Sequence, residues 1–482
     1  MKKASMKSGK IDVLLYFFTK ALSGILSFVL VSLYTFLLKP GVYGNYSLIY
    51  GVVNVAISIL MGWISSSCLR YYSDYKNNKN SFYTNVVIDW LLMILLSFII
   101  IITISLFSIN IPIKPFLTYV LLLLVFNSIY EIFNSILRAN KSTFIYLCVI
   151  VGQYLITIPS FIIMLKVFHM DLNGIFISLI LSYFVMSTFL VFHFKIYKYI
   201  NLKYYSGTIQ KRFLKYGIPM IGVWATSWIL NYSDRYLIKI FCSSSEVGLY
   251  DIGYKLAENS INILITSLSM AMMPILIDKY NNDGEKAAED IHYKFLKYYF
   301  ILVIPSVLGL IAIKDDIYGI LINKQYIDGS MTIVFISLSM LFFGFNQMIY
   351  KLLQLKEKTN RILVFTIISV ILNIILNVIL IPKYGFIMAA ITTLISNVIS
   401  TLIAYIDISK YFAIRIDFKS LIKVLISGTV MFLAVSNIKS SNLFELCIIV
   451  LISIVIYFGL LLLLGEFKDE LKKIKNIRKK EL

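Results

Sequence analysis

Long apolar stretches recur from one end of this sequence to the other, and they limit its folding more than any other feature. A run of about twenty apolar residues forms a helix long enough to cross the hydrocarbon core of a bilayer, which is about 30 Å thick. Hydrophobic residues make up 59% of the chain and charged residues 15%, whereas soluble domains carry about 25% charged residues. The chain is therefore predicted to be an all-α membrane protein that crosses the bilayer many times.

Fourteen spans are predicted from the spacing of these stretches. The breaks between them are rich in Gly, Pro, Asn and Lys, as in "KPGVYGN" and "NNDGEKAAED", a composition typical of turns and loops. Each break is too short to form a soluble domain. The predicted spans are 11–38, 45–68, 82–109, 115–138, 143–167, 172–197, 213–240, 248–274, 294–314, 330–353, 361–381, 384–408, 419–438 and 442–465.

Lys and Arg are concentrated in alternate breaks, and this bias predicts the orientation of the chain. One set of breaks, together with both termini, holds most of the 45 basic residues. Because basic loops stay in the cytoplasm, the chain is predicted to be a multi-pass protein of the cytoplasmic membrane with both termini cytoplasmic. The net charge of +20 follows from this bias and from attraction to anionic headgroups, so membrane lipids are expected partners and nucleic acid is not.

Three basic residues fall inside predicted spans instead: Lys20, Arg235 and Lys255. A charge at mid-bilayer costs about 2.5–3.5 kcal/mol even on a lenient scale, so such residues usually face a protein interior or a watered cavity. The alternative is that a long side chain near a span end reaches the interface. Both interpretations stay open for Arg235 and Lys255, while a cavity is favoured for Lys20. Asp234 would neutralise or orient the adjacent Arg235.

Acidic residues inside the spans form a second group of candidates. Asp89 and Glu131 lie in the third and fourth spans, where they are candidates for ion coupling or for structural pairing with nearby Arg or Asn. Glu258 follows Lys255 by three residues, so both side chains share one helix face and can pair. Glu258 and Asp234 are also candidates for the polar lining of a transport path.

An internal repeat predicts how the spans are organised. "VYGNYSLIY" (42–50) matches "EVGLYDIGY" (246–254), and "LKVFHMDLNGIFIS" (165–178) resembles "LNVILIPKYGFIMA" (376–389). We therefore expect two six-helix bundles of the same orientation, 1–200 and 201–410, followed by two further spans and a basic tail in 411–482. Parallel repeats of this kind place substrate sites between the halves and rock to give alternating access.

The repeated stretches also carry a resemblance to a known family. "KPGVYGNYSL", "SDRYLIKIFCSSSEVGLYDIGYKLAE" and "LNIILNVILIPKYGFIMAAITTLIS" resemble the polysaccharide flippases of the multidrug/oligosaccharidyl-lipid/polysaccharide exporter superfamily, over essentially the whole chain. The last motif has an Asn on a long apolar helix, then Ile-Pro, a turn with Gly and a start of small residues. One position departs from it, since Met388 stands where the family usually has Gly. The motif is filled here by Asn373, Pro382, Gly385, Ala389 and Ala390.

The residues of this motif have a structural interpretation of their own. Pro382 is predicted to end one helix and Gly385 to permit a tight outer turn. Asn373 and Asn377 are four residues apart and share a face, with Thr, Ser and Asn residues following on the next span. Hydrogen bonding between the two helices is the favoured interpretation, and a polar lining that faces a sugar is the alternative.

The resemblance implies a flippase that moves a polyprenyl-diphosphate-linked oligosaccharide from the inner to the outer leaflet. The diphosphate needs positive charge inside the membrane, which Lys20, Arg235 and Lys255 would supply. Tyr232 and Tyr236 lie near these charges and would contact sugar. No cofactor or metal is implied. A glycan polymerase and glycosyltransferases of the same pathway are further expected partners.

Three other functions are alternatives to this one. An enzyme is disfavoured because the sequence has no GxxxxGK[ST], HExxH or paired CxxC motif, and its three His form no cluster. Ion-coupled multidrug efflux is the second alternative, although three cations within the spans suit an anionic substrate better than a cationic drug. A lipid II flippase is the third, and the sequence does not separate it from the favoured function.

Overall fold

The computed structural model describes residues 2–107, 114–356 and 358–468, and this part of the chain is helical, without β-strands. Helices suit a bilayer because each one satisfies its own backbone hydrogen bonds. A π-helical turn, Ile57–Met61, joins the second and third helices. The helices are α1 Lys2–Leu37, α2 Pro40–Ala56, α3 Gly62–Tyr71, α4 Lys79–Phe107, α5 Leu117–Ala139, α6 Thr143–Lys166, α7 Leu172–His193, α8 Gly207–Phe241, α9 Ser244–Asp283, α10 Glu285–Ala312, α11 Lys314–Ile320, α12 Ser330–Leu355, α13 Thr359–Tyr384, α14 Ile387–Ile408, α15 Phe418–Val435 and α16 Leu443–Leu463.

The helices confirm the predicted membrane-spanning architecture. Over the described residues, 13 helical segments are long and apolar enough to cross a membrane, and each overlaps one of the predicted spans. The remaining predicted span, 213–240, lies within α8, a helix of 35 residues that carries Asp234 and Arg235. The end of the third span, at 108–109, and the basic tail beyond 468 lie outside the described residues.

The chain divides into two compact units, Met1–Tyr236 and Leu237–Leu482. In the first unit, α6 packs against α1 and α7, and α5 packs against α3 and α7. In the second unit, α12 packs against α9 and α14, and α10 against α9 and α15. The finer boundaries of 1–200, 201–410 and 411–482 stay predictions.

Each unit contains the tyrosine pair that the internal repeat places there. In the first unit, the rings of Tyr46 and Tyr50 stack on α2 with centroids 5.5 Å apart. In the second unit, Tyr250 and Tyr254 of α9 have ring centroids 5.9 Å apart. Tyr46, Tyr250 and Tyr254 are buried. The repeat therefore preserves a contact between two tyrosine rings, four residues apart, on one face of each helix.

The turn after α13 differs from the sequence expectation at one residue. Pro382 does not end the helix, since α13 continues to Tyr384 and encloses the proline. Proline removes one backbone donor, but the helix stops only where Gly385 adopts φ 83°, a conformation that residues with a side chain rarely take. The amide of Gly385 still donates to the carbonyl of Ile381 at 2.9 Å. Gly385 is thus the residue that ends this helix.

A polar cluster attaches the last two helices of the second unit to α10. The buried carboxylate of Glu466 lies 2.8 Å from the Lys297 ammonium and 3.1 Å from that of Lys423, and it accepts a hydrogen bond from Ser420. Burial raises the pKa of Glu466, but the hydrogen bonds from Lys297, Ser420 and Lys423 outweigh burial, so its pKa lies below the usual value. We call Glu466, Lys297, Lys423 and Ser420 the Glu466 clamp.

A second polar contact lies beside the clamp at the start of α15. Asp417 caps this helix by accepting from the amide of Ser420 at 3.0 Å, and it accepts from the Tyr293 hydroxyl of α10 at 2.8 Å. Toward the middle of the helices, the Tyr457 hydroxyl of α16 donates to the carbonyl of Ile301 at 2.7 Å. The α15–α16 pair is therefore fixed to α10 by polar contacts at two depths.

Candidate functional site

An aromatic stripe on α8 anchors the helix that carries Asp234 and Arg235. Trp228, Tyr232 and Tyr236 are spaced four residues apart, so their side chains share one face of the helix. The Trp228 indole donates to the carbonyl of Gly51 at 3.0 Å, and the Tyr236 hydroxyl donates to another α2 carbonyl at 2.9 Å. Asn54 donates to the Tyr232 hydroxyl at 3.1 Å. The stripe therefore docks α8 against the backbone of α2 within the first unit.

Close approach of the two helices requires glycine at position 51. A Cβ atom at Gly51 would lie 2.8 Å from the Tyr236 hydroxyl oxygen and 3.2 Å from the Tyr232 ring. Because real Cβ atoms do not approach other atoms this closely, even alanine would displace a tyrosine of the stripe. Gly51 was missed from the sequence alone, where it is one of several glycines in apolar helices.

Arg235 is the best-defined cation among the candidates. Its side chain is 2% exposed, its guanidinium carbon lies 5.0 Å from the centroid of the Tyr232 ring, and Nη1 donates to the carbonyl of Asn231. A guanidinium over an aromatic face is stabilised by the ring quadrupole. Asp234 is buried as well. The guanidinium is thus covered by protein, which disfavours the interpretation that Arg235 reaches the membrane interface.

Lys20 and Glu131 influence each other electrostatically in the first unit although they are distant in sequence. Lys20 lies on α1 and Glu131 on α5, and both side chains are exposed. The charges of Lys20, Glu131 and Arg138 are within electrostatic range of one another. Because both side chains are exposed, a charged ligand or an ion can reach either of them.

Asp89 has a different environment from Glu131. It is buried on α4, and Gln210 Nε2 of α8 donates to its Oδ1 atom. Its Oδ2 atom and Gln210 Oε1 are both without a hydrogen-bond partner among the described residues. Asp89 therefore has a structural partner, which is Gln210 rather than the Arg or Asn expected from the sequence. Its second oxygen still has an open acceptor position.

Lys255 forms an ion pair with the acidic residue four positions before it, Asp251, in addition to having the expected acidic neighbour Glu258 three positions after it. Its ammonium lies 2.8 Å from Asp251 Oδ2, and the Asp251 side chain is fully buried while that of Lys255 is 27% exposed. Glu258, the partner predicted from sequence, lies on the same helix and is half-buried. The signal for Asp251 was present as the i,i+4 spacing of an acid before a base. Asp251 is thus a further candidate site residue.

Asn373 and Asn377 form a hydrogen-bonded chain between α13 and α14. Asn373 Nδ2 donates to the Thr393 hydroxyl at 3.1 Å, and Asn377 Nδ2 donates to Asn373 Oδ1 at 3.1 Å. The Thr392 hydroxyl donates to Asn377 Oδ1. All four side chains are buried. The arrangement agrees with the interhelical interpretation, and the lining of a transport path by these residues stays a prediction.

An apolar cavity of about 400 Å³ lies in the second unit between α9, α10, α15 and α16. Leu302, Leu310, Met431 and Ile454 form much of its wall, and the few polar groups come from serines and Tyr457. The cavity suits an apolar chain because its wall offers few hydrogen-bond partners.

Comparison with known sequences links the chain to glycan synthesis. A family model described as "Polysaccharide biosynthesis protein" matches residues 35–331, more than half of the chain. The probable low-salt glycan biosynthesis flippase Agl15 of Haloferax volcanii is 24% identical over 175 residues, which make up 36% of this chain and 36% of that protein. The chain thus aligns with little more than a third of the length of the curated relatives that it matches.

Comparison with solved structures shows the fold. Lipid II flippase MurJ in an inward closed conformation matches with a TM-score of 0.70 and 21% identity, over 96% of this chain and 99% of that chain. An inward-facing multidrug resistance MATE family transporter of the MOP superfamily matches with a TM-score of 0.63 and 15% identity, over 80% of this chain and 95% of that chain. At these identities the likeness concerns the fold alone.

Proposed function

Because the chain belongs to the polysaccharide biosynthesis protein family, we propose that it is a flippase that moves a polyprenyl-diphosphate-linked oligosaccharide across the cytoplasmic membrane by alternating access. The family match over residues 35–331 carries the proposal. A chain of membrane-spanning helices contributes to polysaccharide synthesis most directly by moving a lipid-linked intermediate between leaflets. A glycan polymerase and the glycosyltransferases of the same pathway are the proposed partners.

The diphosphate of such a substrate would bind the cations inside the spans. Arg235 is covered by protein in this conformation, and we propose it as a ligand in a state of the alternating-access cycle that uncovers it, because a guanidinium presents a planar fork of donors that matches phosphate oxygens. Its place over the Tyr232 ring orients the guanidinium and reduces the conformational freedom lost on binding. Lys20 and Lys255 are proposed as further ligands, and in the absence of substrate the Lys255 ammonium is paired with Asp251.

The other two parts of the substrate also have suitable surroundings. Tyr232 and Tyr236 combine an aromatic face with a hydroxyl and would contact sugar near Arg235. The cavity between α9, α10, α15 and α16 is apolar and would hold part of a polyprenyl chain. Its polar atoms are few, so little desolvation opposes the entry of hydrocarbon.

Two related functions are kept as alternatives because the fold accommodates them. A lipid II flippase would use the same diphosphate and polyprenyl chain, and the MurJ structure matches almost the full chain in fold. Multidrug efflux is favoured only by the exposed carboxylate of Glu131, which suits a cation. The buried Arg235 favours an anionic substrate over a cationic drug.

The polyprenyl-linked lipids of a deletion strain test the proposal. We expect one lipid-linked oligosaccharide to accumulate, because its synthesis on the inner leaflet continues after its export stops. Mass spectrometry of extracted lipids measures this, and a strain complemented with the intact gene is the control.

Two outcomes would contradict the proposed function. Accumulation of lipid II, with other polyprenyl-linked glycans unchanged, would identify a lipid II flippase. An unchanged lipid profile in a strain that also lacks every other transporter of this superfamily, together with increased sensitivity to cationic drugs, would identify an efflux pump.

A further inference from the structure

A groove at one end of the α13–α14 hairpin has the composition of a lipid-binding site. It has a volume of about 630 Å³ and lies where α13 begins and α14 ends. Charged side chains line one end and apolar side chains the remainder. The charged residues are Arg361, Asp407 and Lys410, and the apolar residues include Val364, Ile368 and Ile406. We propose that this groove binds a phospholipid with an anionic headgroup, independently of the transported substrate.

The charged end of the groove keeps donors available for a phosphate group. Arg361 contacts Asp407 through Nη1 alone, and its side chain is 41% exposed. A guanidinium has five N–H donors, and those on Nη2 and Nε have no acceptor among the described residues. The pair with Asp407 holds Arg361 in place and does not use these donors.

Two lysines beside Arg361 give the groove a net positive charge. Lys410 is exposed, and its ammonium has no ion pair or hydrogen bond within the described ranges. The Lys358 ammonium lies 3.5 Å from the centroid of the Tyr411 ring, and the Arg361 guanidinium carbon lies 4.9 Å from the same centroid. Among the described residues, Arg361 and Lys410 therefore line the groove with one carboxylate, Asp407, and Lys358 lies beside the same tyrosine ring as Arg361. This excess of positive charge attracts an anion.

The apolar part of the groove continues from the charged end along two membrane-spanning helices. Val364 is 52% exposed and Ile406 is 62% exposed, and both helices are among the segments that are long and apolar enough to span a membrane. An ion such as free phosphate would use only the charged end of the groove. A lipid places its acyl chains on the wall and its phosphate beside Arg361 and Lys410, so both parts of the groove are used.

The groove lies at the end of α13 and α14 that is predicted to face the cytoplasm, where anionic lipids act on basic segments. The loops that hold Lys358 and Lys410 belong to the set predicted to be cytoplasmic. A basic residue near an anionic leaflet gains about 1 kcal/mol, which corresponds to about fivefold in affinity. Phosphatidylglycerol carries one negative charge on a single headgroup and is the appropriate probe.

Native mass spectrometry of the purified full chain tests this inference. Delipidated protein is titrated with phosphatidylglycerol or with phosphatidylcholine of the same acyl chains. We expect the native protein to retain phosphatidylglycerol in preference to phosphatidylcholine. The double variant Lys358→Gln, Lys410→Gln leaves the Arg361–Asp407 pair intact and should bind phosphatidylglycerol at least about fivefold more weakly.

A matched control separates this site from a general loss of charge. Lys383→Gln, Lys439→Gln removes two exposed lysines from the opposite predicted side and should leave the affinity unchanged. Equal binding by the Lys358, Lys410 variant and the native protein would overturn the proposal, as would equal retention of the two phospholipids. Displacement of phosphatidylglycerol from this site by an equal concentration of polyprenyl diphosphate would assign the groove to the transported substrate instead.

Discussion

At the scale of single residues, Arg235 shows how a charge is kept inside a membrane protein. Its guanidinium lies over Tyr232, and the aromatic stripe fixes α8 to α2 through Gly51. The protein therefore holds the cation in a defined orientation, and the desolvation of Arg235 is compensated by the ring and by a backbone carbonyl. A rigid cation of this kind is suited to bind an anion that enters the same environment.

Replacement of Arg235 by Gln is expected to reduce transport of the lipid-linked oligosaccharide by about ten- to hundredfold, the effect of losing a charged hydrogen-bond donor. Arg235→Lys should retain part of the activity, because the charge remains while the planar fork is lost. Transport in proteoliposomes measures both effects. Arg70→Gln is the control, since Arg70 is exposed and also lies near a tyrosine ring, 5.5 Å from the centroid of Tyr71. Normal transport by Arg235→Gln would remove this residue from the binding site.

The sequence predicted the candidate cations but not their partners. Lys20, Arg235 and Lys255 are conspicuous because a charge inside an apolar span is costly. Asp251 and Gln210 are not, because each lies near a span end, where polar residues are common. Which of these contacts form depends on how the helices pack, and a single sequence has no direct signal for helix packing.

At the scale of helices, the Glu466 clamp fixes α15 and α16 to α10 by charge as well as by apolar packing. The apolar part includes Ile301, Val424 and Tyr457, which are all buried in one cluster. The buried carboxylate of Glu466 has hydrogen-bond donors for both of its oxygens, because it accepts from Lys297, Lys423 and Ser420. The clamp therefore stabilises the helix pair only while Glu466 is ionised.

Attachment of α15–α16 is expected to weaken in acid. The pKa of Glu466 is lower in the folded protein than its usual value of 4.5, so its stabilisation is present above 4.5 and is lost as the pH falls through the folded pKa. Glu466→Gln should destabilise the helix pair by about 1–3 kcal/mol at neutral pH and reduce this pH dependence. Hydrogen exchange of α15 and α16 amides measures both, and Glu445→Gln, at the opposite end of α16, is the control. Identical exchange profiles for the Glu466 variant and the native protein would contradict the role of the clamp.

Helix ends were harder to predict than helices. The apolar runs locate each span, but the prediction that Pro382 ends α13 is wrong, since the helix continues to Tyr384. The helix tolerates proline near its last turn because only one internal hydrogen bond is lost, whereas Gly385 leaves the helical conformation altogether. The longest of the described helices, α9, likewise extends beyond its predicted span 248–274 and ends at Asp283. Its last residues are polar, and a helix can continue from the bilayer into water.

At the scale of the whole molecule, the transport cycle needs an energy source. The sequence has no nucleotide-binding motif of the GxxxxGK[ST] type, so an ion gradient, the membrane potential or consumption of the substrate on the far side is the proposed source. The two candidate carboxylates differ in a way that makes them distinguishable. Glu131 is exposed and within electrostatic range of Lys20 and Arg138, whereas Asp89 is buried and accepts from Gln210.

Glu131→Gln is expected to abolish the dependence of transport on a pH gradient, because the amide carries no exchangeable charge beside Lys20. Asp89→Asn is the matched control and should keep that dependence, since the amide oxygen still accepts from Gln210. Both variants are compared in proteoliposomes with and without an imposed gradient, using the lipid that accumulates in the deletion strain. Unchanged gradient dependence in both variants would exclude these carboxylates as coupling sites, and loss in Asp89→Asn alone would reverse their assignment.

The matching tyrosine pairs of α2 and α9 have a consequence for how such a gene arises. Six spanning helices precede the short 3₁₀ turns Ile196–Lys198 and Leu202–Tyr204. An even number of crossings returns a nascent polypeptide to the leaflet where it started. A copy of the coding segment joined directly behind the original therefore inserts with the same polarity, without any change to its flanking charges. One tandem duplication would account for the repeat, with Tyr46/Tyr50 and Tyr250/Tyr254 as the two copies of one ancestral pair.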